Sequence, residues 1–396
     1  MGIGVCLGLI YVLLLVSSLQ ASSPPTYRDL PFIERSEIGA RWAGMGGACL
    51  AIVDDGGAIW WNPAGLGKIR RIELLGTLTN ADLAIRTGWL GRTSESSIST
   101  TRFQNASFAY PFPTYRGSLV AAAAVTRVVS FDQYLNRYGT GSYHDIEEKK
   151  VVLSAWGGGV AVQVSPNVFI GGEVHFFTGD LRYDDRLYPW GDCSEPAIFS
   201  QSGDLSGYGG TIGMQVVNPP FSVGMVLRTP QRIRVEGEEI WTDDICVSHN
   251  PAVKYDVDLP FSGGIGVGFA PGSFTIALDA WYTDWHQLGF PGGIRDESGN
   301  FIYDPTTDIR FGIEYGVPVL PLRLRAGYAY VPLALNLFNV DRNRRKISLG
   351  FGAIIQSSLA IDVAWVRSSF ERSSPGDSYS EKRTLDKGFL TVTYRF

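Results

Sequence analysis

Fourteen β-rich runs are separated along this chain by connections that alternate between short and long. The runs cover residues 70–79, 101–110, 117–129, 149–163, 168–178, 207–217, 221–229, 261–270, 273–285, 308–316, 321–330, 345–354, 358–368 and 386–396. The even-numbered connections are short, such as SPN or NPP, whereas the odd-numbered ones, among them 130–148, 179–206, 230–260 and 286–307, are long and polar. An up-and-down barrel has tight turns at one rim and longer loops at the other. The spacing therefore predicts an all-β protein, a 14-stranded antiparallel transmembrane β-barrel over residues 70–396.

The predicted strands alternate between apolar and polar side chains. In PLRLRAGYAY, Leu324 and Tyr328 share one face while Arg323 and Arg325 share the other. Because successive side chains of a strand point to opposite sides, one face suits lipid and the other a polar lumen. The charged residues predicted to point into the lumen, and to pair across it or with material inside it, are Asp279, Arg310, Glu314, Arg323, Arg325 and Asp362. A minority of them could instead face a ligand carboxylate, which arginine binds in a bidentate manner.

The composition of the chain agrees with an all-β protein. Glycine occurs 47 times in 396 residues, and only 18% of the residues are charged. No internal stretch reaches the roughly 18 unbroken apolar residues of a membrane-spanning helix. The formal net charge of −5 gives no support for a nucleic-acid partner, which normally requires a basic patch.

The first 23 residues have the pattern of a secretory signal peptide. An apolar run from Ile3 to Val16 leads into the small residues of SSLQASSPP, and cleavage after Ala21 or Ser23 is expected. A membrane anchor is the alternative interpretation, although the run is short for a membrane span. Residues 1–23 are therefore predicted to be cleaved off during export. Disulfides can form in the exported protein.

The last strand, DKGFLTVTYRF, places Leu390, Val392, Tyr394 and Phe396 on one face and ends the chain on an aromatic residue. This resembles the terminal signature of bacterial outer-membrane barrels, which the barrel assembly machinery recognises. The resemblance implies that Phe396 contacts that machinery, and it implies a multi-pass protein of the outer membrane surrounded by lipid and lipopolysaccharide.

Residues 24–69 remain outside the predicted strands and need a location. They contain many glycines, an Asn-Pro turn signal and several large apolar side chains that require burial. A compact segment of this size would fit inside a fourteen-stranded barrel and close its lumen. We expect Asn62-Pro63-Ala64 to form a tight turn, and we expect Trp60 and Trp61 to point to opposite sides if the chain is extended there.

The sequence GARWAGMGGACLAIVDDGGAIWWNPAGL resembles the N-terminal hatch of the FadL/TodX family of outer-membrane transporters for hydrophobic compounds. The matching positions of the hatch motif include Gly44, Gly46, Gly47, Asp54, Asp55, Asn62, Pro63 and Ala64. The family has fourteen-stranded barrels plugged by this segment, so the resemblance implies a hatch over residues 24–69. Because an unpaired charge in a confined lumen is costly, Asp54 and Asp55 are expected to meet Arg323 or Arg325.

The resemblance also implies a function. It points to a passive channel in the outer membrane for hydrophobic small molecules, either long-chain fatty acids or aromatic hydrocarbons, with no cofactor. The PorV-like barrels, which have a similar opening pattern, leave an alternative open: a secretion-associated barrel that binds protein partners through its outer loops.

Enzyme chemistry finds little support in the residues. The histidines, His144, His175, His249 and His286, lie in no H-E-x-x-H motif, and the chain has no G-x-S-x-G motif around them, so neither a catalytic nor a metal site is predicted. The glycines of GMGGACLAIVDDG lack the G-x-G-x-x-G spacing and follow no strand, which argues against a dinucleotide site.

The third predicted strand contains an alanine run, Ala121–Ala124. Two interpretations stay open: close packing of the wall against the hatch, or a thin wall for a solute. The second follows from the resemblance, because FadL-like barrels have a lateral opening at a kink in their third strand.

Cys193 and Cys246 are predicted to form a disulfide, because they lie in the neighbouring third and fourth outer loops of an exported protein. Thiol labelling of intact cells measures this directly, and we expect labelling at both positions only after reduction. Ready labelling without reductant would show that the two cysteines are unpaired.

Overall fold

The computed structural model describes residues 36–89, 91–139, 144–188, 196–242, 247–289, 295, 298–336, 339–340, 343–373 and 379–396. The predicted signal peptide, residues 1–23, and the predicted disulfide between Cys193 and Cys246 lie outside these ranges. None of the described helices is long and apolar enough to cross a membrane.

Fourteen strands form the wall of the molecule. They are β1 Glu73–Trp89, β2 Arg92–Phe112, β3 Leu119–Tyr138, β4 His144–Ser165, β5 Val168–Tyr188, β6 Ala197–Asn218, β7 in two segments Phe221–Arg228 and Gln231–Thr242, β8 in two segments Val247–Leu259 and Ser262–Phe269, β9 Phe274–Thr283, β10 Thr306–Gly316, β11 Leu322–Tyr330, β12 Arg345–Ile355, β13 Leu359–Ser373 and β14 Tyr379–Arg395. A two-residue strand, Asn339–Val340, pairs with the outer end of β13. Each wall strand is antiparallel to its neighbours.

The sheet closes on itself, because β1 pairs with β14 from Glu73↔Arg395 to Trp89↔Tyr379 and also pairs with β2. The segments of β7 and β8 are separated at Pro230 and Pro260. Proline has no amide hydrogen to donate to the ladder, so both strands are interrupted without leaving the wall. The predicted 14-stranded antiparallel barrel is confirmed.

The outer face carries an apolar band bordered by aromatic side chains, as expected for a barrel in lipid. Leu324 and Leu349 point outward and are 48% and 59% exposed. Aromatic residues flank the tight turns (Phe112, Phe221, Phe274, Tyr394 and Phe396) and recur where the outward residues become polar (Trp156, Tyr208 and Tyr282). Beyond the second border the outer face is lined by ion pairs such as Arg234–Asp256 and Arg367–Asp386.

The tight connections lie where the sequence predicts them, but most of the predictions of long connections are wrong. β1 ends at Trp89 and β2 begins at Arg92, so residues 80–100 are largely strand. The predicted loops 130–148, 179–206 and 230–260 are likewise mostly strand. The strands continue past the apolar band with polar outward side chains, and this polarity makes them resemble loops in the sequence.

The barrel interior is occupied by residues 36–69, here called the inner segment. It contains helix α1 Ala40–Gly44, helix α2 Ala58–Trp61 and a 3₁₀ helix Pro63–Lys68. Large side chains of this segment are buried, among them Trp42, Met45 and Leu66, each at most 1% exposed. The segment contacts inward side chains from nearly every strand, so wall and inner segment share one apolar core.

An arginine in place of Leu349 should destabilise the barrel, because Leu349 faces outward within the apolar band. We expect a loss of about 2–4 kcal/mol in the free energy of unfolding, measured by denaturant titration in lipid vesicles. The matched control is Ser97→Arg, an outward position in the polar part of β2, where the loss should be near zero. Equal losses at the two positions would contradict the assigned apolar band.

Candidate functional site

The inner segment has little regular structure, so its backbone depends on hydrogen bonds from the wall. The Asp279 carboxylate on β9 accepts hydrogen bonds from the amides of Cys49 and Leu50 at 2.7 and 2.9 Å. The Gln215 side chain on β6 donates to the carbonyl of Leu50 at 3.0 Å. On β14, the Thr391 hydroxyl accepts the amide hydrogen of Ala40. A buried backbone group without a partner is costly, and these side chains remove that cost.

Glycines let the inner segment approach the wall very closely. Gly46 has a φ of 67° on the segment, and Gly327 lies opposite it on β11. A Cβ atom on Gly327 would lie 2.1 Å from the Gly46 amide nitrogen. Gly44 and Gly47 are similarly confined, by Gly350 and Arg310 respectively. Close contact with the wall, together with the positive φ of Gly46 and Gly47, therefore favours glycine at these positions.

Asn62, Pro63 and Ala64 form the predicted turn at the start of the 3₁₀ helix. The Asn62 side-chain oxygen accepts the amide hydrogen of Ala64 at 3.2 Å, and Pro63 occupies the first helical position. The Asn62 side-chain amide donates to the carbonyls of Leu50 and Met214. Asn62 is fully buried. It therefore joins two parts of the inner segment to strand β6.

The six predicted lumen charges all lie inside the barrel, buried at their side chains or partly so. Glu314 accepts hydrogen bonds from Arg325 at 2.6 Å, from Arg323 at 3.1 Å and from Arg41 of the inner segment at 3.3 Å. Arg325 also binds Asp362 at 2.6 Å. Arg310 pairs with its strand neighbour Asp308 at 2.9 Å, and Asp279 binds the backbone as described.

The predicted partners of the acidic pair are wrong. Asp54 forms its salt bridge with Arg41 at 2.6 Å, within the inner segment, because Glu314 and Asp362 already engage Arg323 and Arg325. Among the described residues Asp55 forms no salt bridge with an arginine, and it accepts hydrogen bonds from Trp42 Nε1 and the Gly57 amide at 3.1 and 3.0 Å. Arg41 bridges Asp54 and Glu314. It lies within the sequence GARWAGMGGACLAIVDDGGAIWWNPAGL but was not predicted to be the partner of Asp54.

Asp55 and Asp54 differ in their electrostatic surroundings. Burial and the nearby Glu73 carboxylate raise the pKa of Asp55 to about 7. Burial acts in the same direction on Asp54, but Arg41 and Lys68 outweigh it and lower the pKa of Asp54 below its usual range. The two adjacent carboxylates therefore respond to pH in opposite ways.

The two tryptophans of the WWNP sequence occupy different environments, although the local structure is helical rather than extended. Trp61 is 4% exposed, and its Nε1 donates to the carbonyl of Ile38 at 3.0 Å. Trp60 is partly exposed and packs against two separate apolar clusters, one of which belongs to the inner segment and the wall around it.

The second cluster occupies part of the barrel interior on the side of the long connections and is here called the upper lumen. Its members include Val151, Leu153 and Ile233 from the wall and Trp285 and Tyr303 from the connection between β9 and β10. These side chains are nearly fully buried. The apolar cluster therefore reaches from the connection between β9 and β10 to Trp60, whereas the inward residues at the outer ends of β3, β4 and β14 include buried ion pairs such as Arg137–Glu147 and Arg383–Glu381.

The ladder between β2 and β3 is incomplete. Only Asn105–Phe112 of β2 pairs with Leu119–Thr126 of β3, whereas β3 pairs with β4 almost to its outer end at Tyr138↔His144. The pairing stops at an irregularity between Arg127 and Val129. Above this point side chains join the two strands, because the Ser96 hydroxyl accepts the amide hydrogen of Asn136. We call this interrupted boundary the β2–β3 seam.

A cavity of about 70 Å³ lies behind the β2–β3 seam. Its lining includes Ile98 and Thr100 from β2, Ser130 and Phe131 from β3, and Leu385 from β14. Arg102 bridges the seam to Asp132 at 2.6 Å. The cavity is enclosed by apolar side chains and by charged ones, which are Asp132, Arg344, Arg383 and Lys387, and the incomplete ladder lies between it and the outer surface.

The alanine run lies directly below the seam and pairs with glycines of β4, for example Ala122↔Gly159. Ala122 and Ala124 pack against the apolar cluster of the inner segment. The inward side chains of the wall are therefore small here, and the inner segment fills the space that they leave. The positions of these alanines fit the interpretation of close packing against the inner segment. The thin-wall interpretation needs an interruption of the ladder between β2 and β3, and that interruption begins at residue 127, beyond the alanine run.

None of the histidines belongs to a metal-binding cluster within the described part of the chain. His175 Nδ1 hydrogen-bonds Glu173 on the same strand at 2.9 Å, and both side chains are buried. Among the described residues, no group of three histidine, cysteine or acidic side chains is arranged to hold a metal ion. Cys49 is a buried free cysteine.

The fold and the filled interior define the class as a transmembrane barrel with a segment inside its lumen. No protein-family model matches the chain, and no curated protein matches it in sequence. Solved structures match its fold. A FadL homologue from Pseudomonas aeruginosa is similar with a TM-score of 0.71 at 16% identity, over 90% of this chain and 98% of that one. The toluene transporter TodX of P. putida has a TM-score of 0.71 at 14% identity, over 92% and 99% of the two chains.

A third structure, the CymD monoaromatic hydrocarbon channel, has a TM-score of 0.62 at 14% identity, over 90% of this chain and 97% of that one. The chain therefore has the fold of the FadL and TodX channels, and the resemblance seen in the sequence is confirmed at the level of the fold. Two of these neighbours are described as a transporter and a channel.

The opposite pKa directions of Asp55 and Asp54 predict opposite effects on stability. A carboxyl whose pKa is raised in the folded state holds its proton more tightly when folded, so Asp55 makes the free energy of unfolding fall from about pH 4 to about pH 7. Asp55→Asn should remove that fall and be more stable than the wild type at pH 8. Denaturant unfolding in detergent, followed by tryptophan fluorescence, measures it.

The matched control is Asp54→Asn. Its parent carboxylate has a lowered pKa, so it stabilises the protein at neutral pH and that contribution is lost as the pH falls through the acidic range. The control variant should therefore be less stable than the wild type at pH 8. Unfolding curves for Asp55→Asn that stay parallel to the wild type at every pH would refute the assigned environment.

Proposed function

We propose that this protein is an outer-membrane channel for the passive uptake of hydrophobic small molecules, long-chain fatty acids or aromatic hydrocarbons, and that the inner segment is its hatch. The observation that carries the proposal is the large apolar cluster of the upper lumen, which reaches Trp60 above an interior that the inner segment fills. A polar solute would gain nothing from such a cluster, whereas an apolar one is stabilised by it.

The fold neighbours support this solute class. TodX is a toluene transporter and CymD is a monoaromatic hydrocarbon channel. The transport is passive in this proposal, because a concentration gradient of the solute and thermal motion of the inner segment are sufficient to drive uptake. Residues 24–69 are then the hatch, residues 70–396 the barrel, and residues 1–23 the signal that directs export.

The β2–β3 seam is the proposed exit. At this boundary between neighbouring strands the ladder is interrupted over more than half the strand length, and the cavity behind it is partly apolar. An apolar solute that leaves sideways at the inner end of the seam, beside the aromatic border at Trp156, reaches the edge of the apolar band and avoids the charged cluster around Glu314 at the other end of the inner segment. That charge cluster makes straight passage through the lumen unfavourable.

The remaining partners follow from the proposed location. Phe396 is 61% exposed at the end of β14, where the barrel assembly machinery could reach it. The apolar band would contact membrane lipid, and the polar outer face above it would lie among lipopolysaccharide. No nucleic acid and no cofactor take part in the proposed function.

Narrowing the seam should reduce uptake. Thr100→Trp and Ser130→Trp place a large side chain in the cavity behind the seam, so the uptake of a labelled hydrophobic solute by cells should fall several-fold at an unchanged level of folded barrel. The matched control, Ser97→Trp, puts the same side chain on the outward face of β2 and should transport normally. Normal uptake by both seam variants would exclude this exit.

Mass spectrometry of the protein after gentle detergent purification tests the solute class. A lipid-like or aromatic molecule that copurifies supports the channel. A stoichiometric secreted protein with no such molecule would instead support the secretion-associated interpretation and overturn the proposed function.

A further inference from the structure

One buried arginine of the wall has no carboxylate partner among the described residues. Arg228, at the end of the first segment of β7, is 7% exposed. Its Nη2 donates to the backbone carbonyl of Trp60 at 2.9 Å, and its Nε donates to the Thr211 hydroxyl at 3.4 Å. The carboxylate of Glu173 in the same region is engaged by His175. A buried charge without a counter-ion is costly, so other contacts must stabilise it.

Two indole rings supply those contacts. The guanidinium carbon of Arg228 lies 4.1 Å from the ring centroid of Trp60 and 5.5 Å from that of Trp281. A cation over an indole face is attracted by the ring quadrupole, and the attraction is larger where water is excluded. Trp281 belongs to the wall on β9, whereas Trp60 belongs to the inner segment. Arg228 therefore binds the inner segment to the wall through both the ring and the carbonyl of one residue.

Trp60 occupies the boundary between the two apolar clusters. It packs against the cluster of the inner segment and against the upper lumen. Its ring also lies 5.7 Å from the ring of His175 on β5. Trp60 therefore lies between the upper lumen and the space of the inner segment.

We propose that Arg228 is a positioning residue that holds Trp60 as a latch between the upper lumen and the inner segment. In the closed state the indole covers the guanidinium, and in the open state the ring has left it. This inference rests on the proposed function, because it assigns the closing contact of the same channel. The cost of exposing the guanidinium then determines how rarely the latch opens.

Single-channel recording in planar bilayers tests the latch with small ions as the probe. Trp60→Leu removes the π face but keeps an apolar side chain, and the open probability should rise roughly tenfold. Trp60→Phe keeps a π face and should stay close to the wild type. A merely structural role for Trp60 would make leucine and phenylalanine equivalent, and that result would overturn the latch.

The coupling between the two residues gives a second readout. Arg228→Gln should raise the open probability to the level of Trp60→Leu, and the double variant should be no more open than either single one, because both remove the same contact. Arg228→Lys retains a cation and should restore most of the closure. Additive effects of the two single variants would show that the residues act separately and would overturn the proposal.

The matched control is Arg232→Gln on the same strand, since Arg232 pairs with Asp258 on the outer face. Its open probability should equal that of the wild type. A wild-type barrel that conducts continuously would remove both the proposed closure and the latch. A silent wild type together with an equally silent Trp60→Leu variant would remove the latch alone.

Discussion

The hydrogen bonds from inward wall side chains to the backbone of the inner segment are the contacts on which the rest of the structure depends. A glycine-rich segment cannot satisfy its own amides and carbonyls, and inside a barrel water is largely excluded. Asp279 and Gln215 bind the stretch around Leu50, and Asn62 binds that stretch to β6. These few polar contacts fix where the large apolar side chains of the segment lie, and so they determine which part of the lumen is filled.

The inner segment divides the barrel into two chemical environments. On the outer side lies the apolar upper lumen, bordered by buried ion pairs such as Arg137–Glu147. On the other side lies the charged cluster in which Arg41, Glu314 and Arg325 neutralise one another. The interrupted ladder between β2 and β3 lies beside this apolar cluster. In the proposed function a sideways route suits an apolar solute, because continuing along the barrel axis would bring it to the charges around Glu314.

The strand number and the inward charges could be predicted from the sequence, because period-two alternation and tight Pro-containing turns are local signals. The strand lengths could not, because the outer halves of strands such as β7 and β8 have polar outward residues that look like loops. The partners of Asp54 were also beyond prediction: they depend on which arginines Glu314 and Asp362 already engage, and that is a long-range property. No local pattern of residues marks the β2–β3 seam either, because Val128 and Val129 are typical strand residues.

Electrical conductance of a barrel that lacks residues 39–66 tests most directly whether the inner segment closes the lumen. The shortened protein keeps its signal and all fourteen strands, so it should insert as a heat-modifiable barrel and pass small ions without selectivity. The full-length protein should stay mostly closed under the same conditions. An inserted barrel that remains impermeable after the deletion would contradict the account, because another part of the chain would then close the pore.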